Sequence, residues 1–299
     1  MPLIFCIMTA MPNIKNILST KPTTISLELF PPKTPEGEAK LNQTIEKFAA
    51  LNPDFFSCTY GAGGSSRGKT LDIVSHIQDM HHIPAMAHLT CVLHTKADIH
   101  NILEDMKQRG ISNILALRGD PPKDNPDYEL TSENFAHSSD LVTFIRRSFG
   151  ENATIGAAGF PEGHILAPSK EFDAKVLKSK VDAGADLIIT QLFFDNQEYY
   201  DYMARLRELG VNTRVIPGIL PITDYHALVR FCALCGATIP AIVHETFKPI
   251  ANDPQATLHA GIAFAVKQCK DLIANGAPGL HFYTLNKVSP TDVILTQLK

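Results

Sequence analysis

Eight short apolar runs alternate with amphipathic helical runs along this chain, and this alternation constrains the fold more than any other feature. The apolar runs have the length of strands and are apolar on both faces, which is typical of parallel strands covered by helices. The predicted strands are 24–30, 55–60, 85–91, 114–117, 154–160, 187–194, 214–220 and 280–285. Eight strand-helix units in series predict an α/β protein with the (β/α)8 TIM barrel fold.

The helical runs repeatedly end one residue before a glycine, as at Gly110, Gly150, Gly184 and Gly210, the expected left-handed cap. The predicted helices are 36–51, 70–81, 96–109, 139–149, 169–183, 197–209, 224–235, 255–274 and 290–298. A doubly wound open sheet has the same local pattern, but no linker or change of composition separates the units, which favours the closed barrel. We assign residues 23–299 to one catalytic barrel, preceded by an N-terminal extension, 1–22, that could be partly helical.

Composition narrows the range of partners. The formal net charge of −4 and the pI near 6.3 show no basic surface for nucleic acid, so small molecules are the expected partners. No run approaches the length of a membrane span, and the apolar start lacks the charge pattern of a secretory signal, so we expect a cytoplasmic protein. The six cysteines are scattered, which suits reduced thiols. Cys232 and Cys235 form a single C-x-x-C at the end of an apolar helix, which favours core packing over a zinc ribbon.

A barrel has its active site at the carboxyl ends of its strands, so the polar residues at those ends belong together. Glu28 is the most informative of them, because it lies near the end of an apolar strand that Pro31 and Pro32 terminate. A carboxylate there is costly to bury unless it is partnered or protonated. The alternative is a solvated glutamate at a frayed strand end.

Residues 63–70, G-G-S-S-R-G-K-T, match the phosphate-binding pattern G-x-x-x-x-G-K-[ST] between a strand and a helix. The match follows the second of eight strands, and the only passable magnesium-binding acid, Asp195, lies four strands away. A glycine-rich loop that lines a cofactor is therefore the preferred interpretation. A P-loop nucleotide hydrolase with Lys69 and Thr70 at the phosphates is the competing hypothesis.

Arg118, Gly119 and Asp120 end the fourth strand and are followed by a long irregular segment, 120–138, of the kind that is usually functional. The arginine offers a fork of donors suited to a phosphate, and the aspartate offers an acceptor for a polar ring edge. An internal salt bridge between the two is the alternative. The histidines show no repeated metal spacing, so solvated or satisfied side chains are expected for His76, His94 and their like, whereas His88 falls at a strand end.

Several long motifs, in order along the chain, resemble the methylenetetrahydrofolate reductase family in its short bacterial form. They are S-L-E-L-F-P-P-K-T at 26–34, T-Y-G-A-G-G-S at 59–65, A-H-L-T-C at 87–91, A-L-R-G-D-P-P at 116–122, F-P-E-G-H at 160–164, K-V-D-A-G-A-D-L-I-I-T-Q-L-F-F-D at 180–195, P-G-I-L-P at 217–221 and H-F-Y-T-L-N at 281–286. The resemblance covers the chain from Ile25 to Asn286. Together the motifs are highly specific.

The resemblance implies an FAD enzyme that takes hydride from NADH or NADPH and reduces 5,10-methylenetetrahydrofolate to 5-methyltetrahydrofolate, in one-carbon metabolism and methionine biosynthesis. Glu28 would be the general acid, and Asp120 would tune the flavin. The implied cofactor-binding residues are Thr59, Tyr60, Ala62, His88, Arg118, Gly119, Asp120, Ser138, Phe160, His164, Ala167, Asp173 and Lys180. The implied substrate-binding residues are Gln191, Phe231, Tyr283 and Lys287. A barrel that binds folate without reducing it is a third hypothesis.

Three positions depart from the family pattern. Phe160 stands where tyrosine is usual, Ile165 where proline is usual, and Lys287 where some relatives have an arginine with its planar fork. Relatives suggest a homodimer or homotetramer, and no dinucleotide fingerprint indicates whether NADH or NADPH is preferred. The chain ends soon after the eighth strand, so we expect no regulatory domain for S-adenosylmethionine and no inhibition by it.

Overall fold

The computed structural model describes residues 13–60, 67–120 and 131–299, and in these ranges eight parallel strands form a closed barrel. Each strand pairs with the next along the chain, and β8 returns to pair with β1. The strands are β1 Thr24–Leu29, β2 Phe55–Cys58, β3 Ala85–Thr90, β4 Asn113–Leu117, β5 Thr154–Gly159, β6 Leu187–Leu192, β7 Arg214–Ile219 and β8 Gly279–Tyr283. The predicted (β/α)8 barrel is confirmed, and the open sheet is wrong.

The helices surround this barrel. They are α1 Ile14–Thr20, α2 Pro35–Ala49, α3 Arg67–His81, α4 Lys96–Gln108, α5 Ser138–Phe149, α6 Lys170–Asp182, α7 Asn196–Glu208, α8 Tyr225–Cys235, α9 Ala241–Phe247, α10 Pro254–Ala274 and α11 Val288–Leu298. Helix α9 was not predicted, because its seven residues are too short to show a helical period. Every strand except β4 ends one or two residues before its predicted limit, and the two-residue differences are at β2, β6 and β8, which end at Cys58, Leu192 and Tyr283.

Strand alternation divides the side chains of β1 between two environments. Leu27 and Leu29 lie in the apolar layer between the barrel and its helices, together with Leu41 and Phe48 of α2. Because successive side chains point to opposite faces, Glu28 and its alternating neighbours face the barrel interior. The outer layer therefore supplies the hydrophobic burial that holds the barrel and the helices together.

The interior itself has two levels. Its lower level, toward the amino ends of the strands, is an apolar cluster that includes Phe55, Met86 and Ile216, and Ile14 and Leu18 of α1 pack onto it from below. The upper level, toward the carboxyl ends, carries the polar residues described below. Within the described part of the chain, no helix is long and apolar enough to cross a membrane.

Candidate active site

Glu28 lies on the inner face of β1, and only 15% of its side chain is accessible. Its Oε2 atom is 3.4 Å from Nε2 of His281 and 3.6 Å from Nε2 of His88. The backbone around it is also held, because the Thr284 hydroxyl donates to the Glu28 carbonyl at 2.6 Å. The alternative of a frayed, solvated strand end is therefore wrong.

His281 is the partner of Glu28 that the sequence interpretation missed. It is fully buried on β8, and its Nδ1 lies 2.8 Å from the hydroxyl of Ser26, the inward residue of β1 that precedes Glu28. The ring packs edge-on against Tyr283, with centroids 5.4 Å apart. Ser26, His281 and Glu28 thus form one connected line of polar side chains across the β1–β8 seam, which fixes the orientation of the carboxyl group.

His88 approaches the same carboxyl group from β3. Burial lowers its pKa to about 4; Glu28 opposes this effect by raising the pKa, and His281 adds to it. His88 is therefore a neutral imidazole at pH 7. Among the described residues, its Nε2 and the nearby buried hydroxyl of Ser57 on β2 have no hydrogen-bond partner. Such unpaired atoms are costly, and they are what a bound polar molecule would satisfy.

Tyr283 closes the far side of this interior layer. Its hydroxyl donates to the carbonyl of Thr190 on β6 at 2.6 Å, and its ring lies over Gly218 of β7, where an added Cβ would come within 2.6 Å of a ring carbon. Burial raises its pKa well above the ordinary value, and Glu28 adds to the shift. The glycine at 218 is what allows the ring to lie across β7.

Gln191, the penultimate residue of β6, lies beside a small recess that Phe160, Glu162 and Cys235 also line. Its side-chain Oε1 accepts a hydrogen bond from the Leu192 amide at 2.9 Å. This bond leaves the NH₂ group of Gln191 as the donor that it can offer to a ligand.

The C-x-x-C of α8 is part of an apolar cluster. Cys232 is buried there with Leu228 and Phe247, Cys235 is half-buried against the same cluster, and both thiols are free. Burial raises the pKa of Cys232 to about 12. The core-packing interpretation is confirmed.

The end of β4 presents Arg118 and Asp120 at the surface, with Gly119 between them at φ +82°. A Cβ on Gly119 would lie 3.1 Å from that of Thr90, so a bare backbone is needed there. The arginine ion pairs of the described ranges belong to Arg109 and Arg146, so the alternative of an internal Arg118–Asp120 salt bridge is wrong. Within the described ranges, no ion pair engages the Arg118 side chain.

A buried cation lies next to the end of β5. The Lys180 Nζ donates to the Ala158 carbonyl at 2.9 Å and lies 5.7 Å from the centroid of the Phe160 ring. Burial lowers the pKa of Lys180, and Asp173 opposes this shift. Burial likewise raises the pKa of Asp173, which Lys180 opposes. The two groups therefore support each other's charged form close to the strand ends.

The Phe160 ring packs edge-on against His164 at 4.7 Å, so the phenylalanine that replaces the usual tyrosine still makes a ring contact. The loop that follows is held by backbone bonds, with the Ala167 amide donating to the His164 carbonyl at 2.7 Å. Ile165, in the position usual for proline, is 58% exposed, and its side chain lies close to Gly236. His164 and Ala167 thus belong to the β5 side of the rim with Lys180.

The other predicted residues differ in how the structure places them. Thr59 and Tyr60 are half-buried directly after β2, whereas Ala62 lies outside the described residues. Ser138 is the buried first residue of α5. Phe231 is 38% exposed on α8, and Lys287 is exposed directly before α11.

The P-loop hypothesis gains no support from the two of its residues that would hold phosphate. Lys69 is paired with Glu38 at 2.6 Å. Thr70 is fully buried and donates to the Thr59 carbonyl at 3.0 Å. The residues 63–66 of the motif lie outside the described ranges. Neither side chain is presented as a phosphate-binding loop requires.

The residues around the rim fit an anionic cofactor with a polar, planar ring. The unpaired Nε2 of His88 and hydroxyl of Ser57 offer hydrogen bonds, the Gly119 backbone allows close approach, and the Arg118 and Lys180 cations suit a pyrophosphate. These features define the protein as a (β/α)8 barrel with a carboxyl-centred polar site at the carboxyl ends of its strands, the end at which barrel enzymes bind their ligands.

Comparison with known proteins places the chain within one family. The sequence profile described as methylenetetrahydrofolate reductase matches residues 13–299. Methylenetetrahydrofolate reductase (NADH) 1 of Arabidopsis thaliana is 38% identical over 288 residues, which cover 93% of this chain and 49% of the plant protein. The 5,10-methylenetetrahydrofolate reductase of Escherichia coli strain K12 is 36% identical over 270 residues, covering 90% of this chain and 88% of the bacterial protein. The chain belongs to the methylenetetrahydrofolate reductase family.

The chain spans about half the length of the plant relatives and most of the length of the bacterial one. Among solved structures, its fold is similar to that of an uncharacterized protein from Clostridium thermocellum that binds two copies of 5-methyl-5,6,7,8-tetrahydrofolic acid. The TM-score is 0.65 over 96% of this chain and 98% of that one, at 14% identity. At this identity the likeness shows the barrel fold alone.

Proposed function

We propose that this chain reduces 5,10-methylenetetrahydrofolate to 5-methyltetrahydrofolate, with FAD as the bound cofactor and NADH or NADPH as the reductant. Family membership supports the reaction, and the names of relatives include both nicotinamides. The observation that carries the proposal is the carboxyl group of Glu28, held inside the barrel between two buried imidazoles.

Glu28 is the proton donor in this proposal. Protonation of a ring nitrogen of the folate breaks the bond from that nitrogen to the bridging methylene carbon and leaves an iminium, which then accepts hydride. His281 orients the carboxyl group from one side, at 3.4 Å, and is itself oriented by Ser26. His88, kept neutral by burial, adds no fixed positive charge that would favour the carboxylate over the proton-donating acid.

FAD, when bound, supplies the hydride carrier that lets the nicotinamide and the folate use one site in turn, in a ping-pong scheme. The residues that would hold it are Thr59, Tyr60, Ala62, His88, Arg118, Gly119, Asp120, Ser138, Phe160, His164, Ala167, Asp173 and Lys180. Arg118 and Lys180 balance phosphate charge, and the carboxylate of Asp120 acts on the electronics of the ring.

The folate would be bound by Gln191, Tyr283, Phe231 and Lys287. Gln191 is suited to this role because its oxygen is already engaged with the Leu192 amide, which leaves an N–H donor for a folate acceptor. The ring of Tyr283, fixed through Thr190, offers a flat apolar surface. Phe231 is exposed on α8, where a ligand that covers it would remove apolar surface from water.

The test is an absorbance spectrum of the purified protein, followed by anaerobic titration with each nicotinamide and then with 5,10-methylenetetrahydrofolate. We expect a yellow protein whose flavin absorbance is bleached by NADH or NADPH and returns on addition of the folate. A colourless protein that hydrolyses ATP would contradict the proposal in favour of the P-loop hypothesis. Bleaching without recovery on folate would contradict reduction of the folate, and folate binding by the same protein would then favour the third hypothesis, a barrel that binds folate without reducing it.

A further inference from the structure

His94 occupies an unusual place for a loop histidine. It follows β3, only 2% of it is exposed, and its Nδ1 lies 3.0 Å from the Val92 carbonyl. A carbonyl can only accept, so Nδ1 carries the hydrogen in the neutral ring and Nε2 is the acceptor. The Tyr60 hydroxyl lies 3.0 Å from that Nε2 and therefore donates to it. The tautomer of His94 is set by the backbone, and His94 in turn sets the direction of the tyrosine hydroxyl.

The two rings also pack against each other, with centroids 5.4 Å apart and planes at 72°. Tyr60 is the second residue after β2, so this contact joins the loops after β2 and β3. An aromatic pair of this geometry restricts the ring as well as the hydroxyl. Of the two expectations for His94, a solvated or a satisfied side chain, the structure confirms the second: the imidazole is buried and hydrogen-bonded, and it links two strand ends.

His94 also connects these strand ends to the segment that follows β4. Its carbonyl accepts from the Asn134 side chain at 2.8 Å, and the next turn is held by the Lys96 amide, which donates to the Glu133 carbonyl at 2.7 Å. On the other side, the Val92 amide donates to the Arg118 carbonyl at 3.0 Å. One buried side chain thus lies where the loops that carry Tyr60, Arg118 and the segment at 131–134 meet.

We propose that His94 is a positioning residue for the cofactor site: by accepting from Tyr60 while its carbonyl holds Asn134, it fixes the tyrosine ring against the loop after β4. This inference rests on the proposed function, because it takes Tyr60 and Arg118 to line FAD. His94 acts through Tyr60 and touches no reacting group. Removal of the His94 imidazole is therefore expected to lower the affinity for FAD and to leave proton transfer to the folate unchanged.

Two substitutions separate the bonds that His94 makes. In His94→Asn, the shorter amide can still donate to the Val92 carbonyl but cannot reach the Tyr60 hydroxyl. In His94→Gln, the longer amide places an acceptor near the position of Nε2. Tyr60→Phe removes the donor from the other side. His100→Asn, at an exposed position on the neighbouring helix α4, is the matched control.

The experiment is titration of each apoprotein with FAD, followed by flavin fluorescence, together with thermal unfolding of the same apoproteins. We expect His94→Asn and Tyr60→Phe each to weaken FAD binding about fivefold to tenfold, the range of one buried neutral hydrogen bond. The double variant should be no weaker than either single one, since both remove the same bond. His94→Gln and His100→Asn should bind FAD within about twofold of wild type.

Two results would overturn the inference while leaving the proposed function standing. One is an FAD affinity of His94→Asn that equals that of the wild-type protein. The other is full additivity of the losses of FAD affinity in His94→Asn and Tyr60→Phe, which would show two independent effects. A wild-type chain that binds no FAD would overturn the proposed function and this inference together.

Discussion

The two levels of the barrel interior are built from the same eight strands but are used in opposite ways. At the lower level, Ile14 and Leu18 of α1 pack onto Phe55 and Ile216, and every member of the cluster is apolar and almost fully buried. At the upper level, Glu28 lies between imidazoles, and His88 keeps an unpaired buried nitrogen. The lower level stabilises the barrel. The upper level instead buries polar groups without partners, which is unfavourable until a bound ligand pairs with them.

At the lower level, the substitution Ile14→Ala tests whether the apolar cluster serves stability and not activity. Removal of a fully buried isoleucine from the cluster leaves a cavity and should lower the free energy of unfolding by about 2–5 kcal/mol. Folate reduction by the folded variant should be unchanged, because α1 lies at the opposite end of the strands from Glu28. Urea unfolding and steady-state assays measure the two quantities, with exposed Ser19→Ala on the same helix as the control. A large loss of rate without loss of stability would contradict the division.

At the upper level, His88 should make stability depend on pH. Its pKa is lowered from 6.5 to about 4 in the folded chain, mainly by burial, so the unfolded state binds the proton more readily between these values. The contribution of neutral His88 to the free energy of unfolding is fully present above pH 6.5 and is lost as the pH falls toward 4. At 1.36 kcal/mol per pH unit, the loss is about 3 kcal/mol.

The measurement is urea unfolding between pH 4 and 7 for wild type and His88→Leu. The difference in free energy of unfolding between the two should change by about 3 kcal/mol across this interval, with wild type losing more at acid pH. Exposed His100→Leu should show the wild-type dependence. Parallel curves for wild type and His88→Leu would show that His88 takes up a proton as easily when folded as when unfolded.

A smaller effect is expected from His281→Leu, which keeps a buried side chain of similar size but removes the nitrogen that faces Glu28. Loss of carboxyl orientation should slow folate reduction by about 10-fold to 100-fold, the effect of a small misplacement of a reacting group. Flavin reduction by the nicotinamide should change much less. Single-turnover kinetics with each substrate distinguish the two, and Ser26→Ala should show the same selectivity with a smaller loss. An equal slowing of both half-reactions would contradict an orienting role for His281.

Local sequence patterns were sufficient for the barrel and for the members of its rim that lie on strand ends. The alternation on β1 and the prolines after Phe30 placed Glu28 correctly, because strand period and chain termination are local properties. His281 and Ser26 were missed because they are 255 residues apart and meet only when β8 pairs with β1 at the closure of the barrel. A polar residue in the middle of the predicted strand at 280–285 was the signal that could have found His281.

Other residues depend on loop geometry that no period encodes. His94 was predicted only to be solvated or satisfied, since nothing local shows that its ring turns inward to Tyr60. The roles of Phe231 and Lys287 come only from resemblance, and the structure places both at the surface. The sequence thus predicted which way the side chains on strands point. It did not predict this for side chains on connecting segments.

The central claim is that Glu28 is the proton donor of the folate half-reaction and has no part in the nicotinamide half-reaction. The direct test is anaerobic stopped-flow of wild type and Glu28→Gln, with flavin reduction by the nicotinamide and flavin reoxidation by 5,10-methylenetetrahydrofolate measured separately. The glutamine keeps the size and polarity of the side chain and removes its acid. We expect flavin reduction within about threefold of wild type and reoxidation slower by about 100-fold to 10,000-fold. Equal loss in both half-reactions, or reoxidation at the wild-type rate, would contradict the claim.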